Sequence, residues 1–325
     1  MPHKTKHKKQ SIFFHSIDKK ILISIGLIFF SLIFILYPGT NIYINYFAFD
    51  YKKLSTVQKH KVAVLKEIRD TPILRTNNKP LVLAEGAYVI ELESATPLFE
   101  RNIHKKFLPA STTKVMTALT AYDMFGLDSV LEVKRLMEIG QVVGLIKGEK
   151  LTFENLLYAI LIHSGNDAAY VVADNTKGGY KVFIEKMNQK AKELKMNDSL
   201  FINPAGLDSL DQYTTAYDLA LAGRALLKNR ELARIVSIKN ITISDVDYKY
   251  FHPLFNVNRL LGEIPGVGGL KTGKTELAGE NLVTFYKKNG KKYLIVLLKS
   301  QDRFEDTKNI VKWIDENVEY RRVGS

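Results

Sequence analysis

Cysteine is absent from all 325 residues. That excludes disulfides, thiol catalysis, thiolate metal sites and a lipidated cysteine anchor, while leaving the compartment open. Internal repeats and extended low-complexity tracts are missing too. Three of the seven histidines (His3, His7, His15) lie in the lysine-rich first twenty residues and no cysteine accompanies any of them, so no metal or other cofactor is expected. The net charge of +13 comes without a recognisable RNA- or DNA-binding motif. Six lysines (Lys4, Lys6, Lys8, Lys9, Lys19, Lys20) against Asp18 concentrate part of it in the N-terminal tail. The remainder is dispersed as on a solvated surface, and nucleic acid is not an expected partner. A composition of 46% hydrophobic and 25% charged residues is that of an ordinary globular chain with ample core.

One long uncharged run stands out at residues 21–37, ILISIGLIFFSLIFILY. Its length sits at the short end of the about 17–25 residues a membrane-spanning helix needs. Lysines precede it, Pro38-Gly39 ends it, and Tyr43, Tyr46, Phe47, Phe49 and Tyr51 suit a headgroup zone. A cleaved signal peptide or a buried core helix are the alternatives. A signal core is usually shorter, about 7–15 residues, with a small-x-small site behind it. The expectation is a single-pass signal-anchor at the cytoplasmic membrane, with residues 1–20 a cytoplasmic basic tail and everything after Pro38 outside. Residues 38–80 read as a stalk or linker, broken at Thr71-Pro72 and Asn77-Asn78-Lys79-Pro80. The main domain is expected over residues 81–320.

Near its end the chain reads GVGGLKTGKT, residues 266–275. From Gly268 to Thr275 this satisfies the phosphate-loop pattern G-x-x-x-x-G-K-[ST]. Such a loop needs a buried strand before it and a helix after it. Upstream, Pro265 and several glycines make a poor central strand. Downstream, Asn289-Gly290 between β-rich runs predicts a hairpin. Neither nucleotide nor a P-loop is therefore expected.

Two other polar constellations precede it. Pro109-Ala-Ser-Thr-Thr-Lys114 places Ser111 and Lys114 three residues apart at the start of a helical run ending at Gly126. A lysine in that position can take the serine proton if it is neutral, and burial or a nearby cation such as Lys271 lowers its pKa. At the first turn of a helix the serine also gains from amide dipoles directed at a developing oxyanion. Ser164-Gly165-Asn166 interrupts an otherwise apolar helical pattern. A hydroxyl there can relay protons and an amide can hold a lysine or a carbonyl, or the pair can simply start the next helix as caps. The ordered set Ser-x-x-Lys, Ser-x-Asn, Lys-Thr-Gly is far more specific than any single box.

The chain from about Leu81 to Trp313 resembles the serine-type D-Ala-D-Ala carboxypeptidases, low-molecular-mass penicillin-binding proteins. The segments FLPASTTKVMTALTA, GEKLTFENLLYAILIHSGNDAA, NPAGLD, YTTAYDLALAGRALL and PGVGGLKTGKTELAGENLV carry the likeness in that family's order. The resemblance implies an α+β fold of the penicillin-binding protein and serine β-lactamase type, with an antiparallel sheet flanked by helices and a mostly helical lobe. Its strands would include residues 87–93, 281–288 and 292–299. The closing helix would be RFEDTKNIVKWIDENV.

The resemblance implies Ser111 as nucleophile and Lys114 as general base. Ser164 and Asn166 would relay protons and position substrate. Lys271 and Thr272 would receive the terminal carboxylate, beside Gly273 against which substrate lies. The amides of Ser111 and Lys274 would form the oxyanion hole. Its substrate would be a peptidoglycan stem peptide ending in D-Ala-D-Ala, and β-lactams would be covalent inhibitors. Ala205 and Gln212 depart from the family, both standing where histidine is frequent. A C-terminal β-domain and amphipathic anchor are not expected, the N-terminal helix taking over anchoring. A muropeptide D,D-endopeptidase would use the same residues. A β-lactamase would want S-D-N in the middle box and a glutamate-bearing ExxxN segment, which FINPAGLDSLDQYTT lacks. A silent wall-binding module would need no Ser111–Lys114 pair.

Overall fold

The computed structural model describes residues 70–322. The basic tail, the apolar run at 21–37 and the stalk as far as residue 69 lie outside the described residues. Among the described residues the strands are, in chain order, β1 (Asp70–Leu74), β2 (Gly86–Glu91), β3 (Pro97–Arg101), β4 (Val130–Glu132), β5 (Lys150–Thr152), β6 (Asn240–Ser244), β7 (Phe251–Phe255), β8 (Val267–Thr275), β9 (Gly279–Lys288), β10 (Lys291–Ser300) and β11 (Val318–Arg322). The helices are α1 (Lys114–Tyr122), α2 (Phe153–Leu161), α3 (Asn166–Asn175), α4 (Gly179–Glu193), α5 (Ala216–Lys228), α6 (Arg230–Val236) and α7 (Arg303–Asn317). Among the described residues no helix is long and apolar enough to cross a membrane.

The main sheet is antiparallel, ordered β3-β2-β10-β9-β8. Its middle strand reads Tyr-Leu-Ile-Val-Leu-Leu from Tyr293 to Leu298, apolar at every position, because both faces are covered. Leu294, Val296 and Leu298 face a core shared with the helical lobe, whereas Tyr293, Ile295 and Leu297 face one shared with Phe304, Ile310 and Ile314 of α7. Each fully buried aliphatic side chain contributes about 1.5–3 kcal/mol relative to exposure. The two-residue connection between β9 and β10 is the expected hairpin. Asn289 (φ 49) and Gly290 (φ 79) both adopt the left-handed backbone that such a turn requires.

The strands expected at 87–93, 281–288 and 292–299 run from Gly86 to Glu91, Gly279 to Lys288 and Lys291 to Ser300, and two other boundaries differ further from the sequence reading. Helix α1 ends at Tyr122 rather than running to Gly126, because Met124 N and Phe125 N both close onto the Ala121 carbonyl. Residues 70–80, read as linker, carry β1, which pairs along its length with β11 from Asp70↔Arg322 to Leu74↔Val318. Trp313 Nε1 donates to the Asn78 carbonyl at 2.7 Å, and Asp306 accepts the amides of Leu83 and Ala84. Short amphipathic pairing with a partner 244 to 252 residues away leaves little local signature.

Candidate active site

Ser111 lies not in α1 but in the single 3-10 turn Ala110–Thr113 that leads into it. With three residues per turn, positions i and i+3 eclipse, and the Ser111 and Lys114 side chains stand one above the other. Lys114 Nζ is 3.0 Å from Ser111 Oγ and donates to Asn166 Oδ1 at 2.6 Å and the Ala205 carbonyl at 2.7 Å. Two of these three partners can only accept, while the serine hydroxyl can also donate. A neutral amine, with two N–H groups and one lone pair, satisfies all three. Lys114 is fully buried, and burial lowers its pKa to about 7, with the Asp167 carboxylate pulling the other way.

Asn166 reaches Lys114 because it is not spent as a cap. Helix α3 is capped by Gly165, which makes no side-chain bond, so the capping alternative for Ser164 and Asn166 is not realised. Asn166 Nδ2 instead donates to the Ile139 carbonyl and its backbone amide to Gln141 O, tying the lysine to the 139–141 loop. Ser164 is buried in a left-handed backbone conformation (φ 66). Among the described residues its hydroxyl has no hydrogen-bond partner and does not meet Lys114.

The third wall is the edge strand β8, whose residues 268–273 are extended and whose exit is a turn into β9. No helix follows it to meet a phosphate. Gly273 does more than spare room for substrate. A Cβ there would lie 2.9 Å from Ser111 N and 3.0 Å from Ala110 Cβ, so the missing side chain lets the nucleophile turn sit against the strand. Lys271 is buried, with Nζ on the Thr272 carbonyl at 2.9 Å. Burial holds its pKa well below the ordinary lysine value, helped by the charges of Lys114 and Arg303. The expected lowering of Lys114 by Lys271 thus falls on the other partner. Thr272 is buried beside it, whereas the Lys274 side chain turns outward to Glu280 at 2.9 Å.

Several contributors lack a sequence signal of their own. The Ala205 carbonyl is a direct partner of Lys114, a backbone atom present whatever side chain stands at that position. Asn203 Oδ1 gathers the amides of Ala205, Gly206 and Leu207, and Gln212 Oε1 accepts from Ile202 and Asn203, so both polar residues shape that turn. Gly206 (φ 82) is required twice over, since a Cβ would lie 1.8 Å from the Ala110 carbonyl oxygen. Asp167 collects the amides of Val143, Gly144 and Leu145. Asn281 Nδ2 holds the Leu108 and Pro109 carbonyls just before the nucleophile. Arg303, at the start of α7, donates to the Gly273 carbonyl at 2.7 Å and adds a second cation at that end of β8. Among the described residues no cluster of His, Asp or Glu could hold a metal ion.

The family profile described as D-alanyl-D-alanine carboxypeptidase matches residues 74–302. The D-alanyl-D-alanine carboxypeptidase DacF of Bacillus subtilis is 32% identical over 240 residues, covering 71% of this chain and 61% of the relative. The chain thus spans about six tenths of that relative's length. Among solved structures, the Streptomyces K15 DD-transpeptidase is similar at 28% identity and a TM-score of 0.69, covering 73% of this chain and 98% of that one. Penicillin-binding protein D2 from Listeria monocytogenes, in its cefotaxime-bound form, follows at 27% identity and a TM-score of 0.65, with the same coverage.

Proposed function

The chain belongs to the D-alanyl-D-alanine carboxypeptidase family, and from that premise we propose that it removes the terminal D-Ala of peptidoglycan stem peptides. The observation that carries this reading is the buried Lys114 amine held between Ser111 Oγ and two pure acceptors. In this reading Lys114 takes the Ser111 proton as Oγ adds to the carbonyl of the penultimate D-Ala. The amides of Ser111 and Lys274 receive the oxyanion. The C–N bond breaks, the leaving amine takes the proton that Lys114 received from Ser111, and D-Ala departs. Water then hydrolyses the ester and frees Ser111. Asn166 positions Lys114 and the substrate amide. Lys271, Thr272 and Arg303 face the terminal carboxylate, which on arrival restores an anion to a wall of buried cations.

Release of D-Ala from a D-Ala-D-Ala pentapeptide tests the reaction, and covalent labelling by a fluorescent penicillin tests the nucleophile. Labelling that survives Ser111→Ala would sink the assignment, and cleavage of cross-linked dimers without D-Ala release would replace carboxypeptidase by endopeptidase. For residues 21–37 the proposal is a single-pass anchor that leaves the catalytic domain extracytoplasmic, supported by the lysines before the run and the aromatic residues behind it. Full-length chain released from membranes by alkaline carbonate would overturn it.

A further inference from the structure

At the far end of the main sheet from Ser111, a cavity of about 290 Å³ opens between the β9–β10 turn, the end of β2 and helix α5. Lys292, on its wall, is eight residues along β10 from Ser300 at the catalytic end, about 26 Å at the strand rise. Two features make it more than a surface dimple. Glu91 is 1% exposed, and although its Oε2 accepts from the amide and hydroxyl of Ser94, its Oε1 is buried without a hydrogen-bond partner. Arg224 lines the same cavity, its Nε is likewise buried and unpaired, and it forms no ion pair among the described residues. A buried carboxylate oxygen and a buried guanidinium N–H both left unsatisfied are costly, and such groups normally meet a partner. Lys228 and Lys292 add positive charge around Arg224, and Leu92 and Leu227 supply an apolar wall.

We propose that this cavity binds a small zwitterionic amino acid, its ammonium on Glu91 and its carboxylate on Arg224, with a short side chain against the leucines. The volume lies just below the range of about 300–1,000 Å³ typical of ligand pockets, which favours a ligand of few atoms. Charges of both signs on one small wall exclude a simple anion or cation as the best fit. The choice of D-alanine as the amino acid rests on the carboxypeptidase reading, because that reaction releases it. The cavity chemistry itself does not.

Hydrogen exchange read by mass spectrometry on the full chain in detergent micelles tests the site, using Ser111→Ala protein to silence turnover. D-alanine is expected to slow exchange in peptides covering residues 88–94 and 221–228, and Glu91→Gln to raise the concentration needed at least tenfold. Leu227→Trp, which fills the cavity, should abolish the protection while wild-type Ser111 carrying that substitution still releases D-Ala at its normal rate. Equal protection by L-alanine supports the ligand class and removes only the choice of enantiomer. No protection, protection confined to residues 108–116 and 268–275, or protection indifferent to Glu91→Gln overturns the proposal and leaves the cavity to water. If penicillin labelling and D-Ala release fail while residues 88–94 are protected, the amino-acid site stands and the reaction assigned above falls.

Discussion

The pH dependence of acylation gives the most direct access to Lys114. Its pKa is lowered from 10.5 to about 7 by burial, a difference worth about 5 kcal/mol between its protonation states. At pH 7 about half of the folded molecules then hold a neutral amine, against about one in 3,000 for an ordinary lysine. If Ser111 gives its proton to that amine, the second-order rate of acylation by a fluorescent penicillin should climb about tenfold per pH unit below pH 6. It should bend near 7 and level above 8, since this quantity reports the free enzyme's base. Quenched labelling from pH 5 to 9.5 in constant ionic strength measures it. In Lys271→Met the bend should stay near 7, because burial and not Lys271 sets the Lys114 pKa. A rate that is flat across the range, or still climbing at pH 9.5 in the wild type, would refute the assignment of Lys114 as the base.

Other consequences are more local. Because the folded pKa of Lys114 lies below its unfolded value, the unfolded chain binds more protons between pH 7 and 10.5, and this group adds stability as pH rises through that window. Relative to Lys114→Met, the wild type should gain about 3 kcal/mol between pH 7 and 9.5 in urea unfolding. Gly206→Ala drives a Cβ into the Ala110 carbonyl from a left-handed backbone and should cost about 2–4 kcal/mol, visible as a lowered Tm. Gly273→Ala should lower Tm and slow penicillin acylation at least tenfold, because its Cβ presses on the Ser111 backbone N and on Ala110. Arg303→Met should raise KM for the peptide more than it lowers kcat, and equal effects on both would remove Arg303 from carboxylate recognition.

What was legible in the sequence is what adjacency encodes. Ser111 and Lys114 are three residues apart, Lys271 to Gly273 are contiguous, and the β9–β10 hairpin is announced by Asn289-Gly290. The rest acts across the chain. The Ala205 carbonyl that meets Lys114 is 91 residues away from it, a backbone atom present whatever side chain stands there. Arg303 reaches Gly273 across 30 residues, from a helix N-terminus that reads as routine capping by Asp302. Asp167, one residue beyond the middle box, could pass for a first-turn helix carboxylate, yet it gathers three loop amides. Strand β1 was hidden because its partner lies at the other end of the domain.

These distant contributors explain why the three boxes carry chemistry only together. A Ser-x-x-Lys pair on an exposed helix would keep its lysine solvated and protonated, so the motif by itself supplies no base. Lys114 is desolvated because α1 is buried along nearly its whole length, and its amine is held by two acceptors that belong to other segments. One of these, Asn166, is available only because Gly165 rather than a polar side chain caps α3. The other, Ala205 O, is presented by a turn that Asn203 folds and that Gly206 permits to lie against Ala110. Ala110 and Ser111 are in turn pressed to β8 across Gly273. A side chain at Gly273 would push two of the boxes apart, and one at Gly206 would push the Asn203 turn away from Ala110. The lysine's low pKa is therefore a property of the packing among the boxes, and loosening any one contact should return Lys114 toward ordinary basicity before it unfolds the domain.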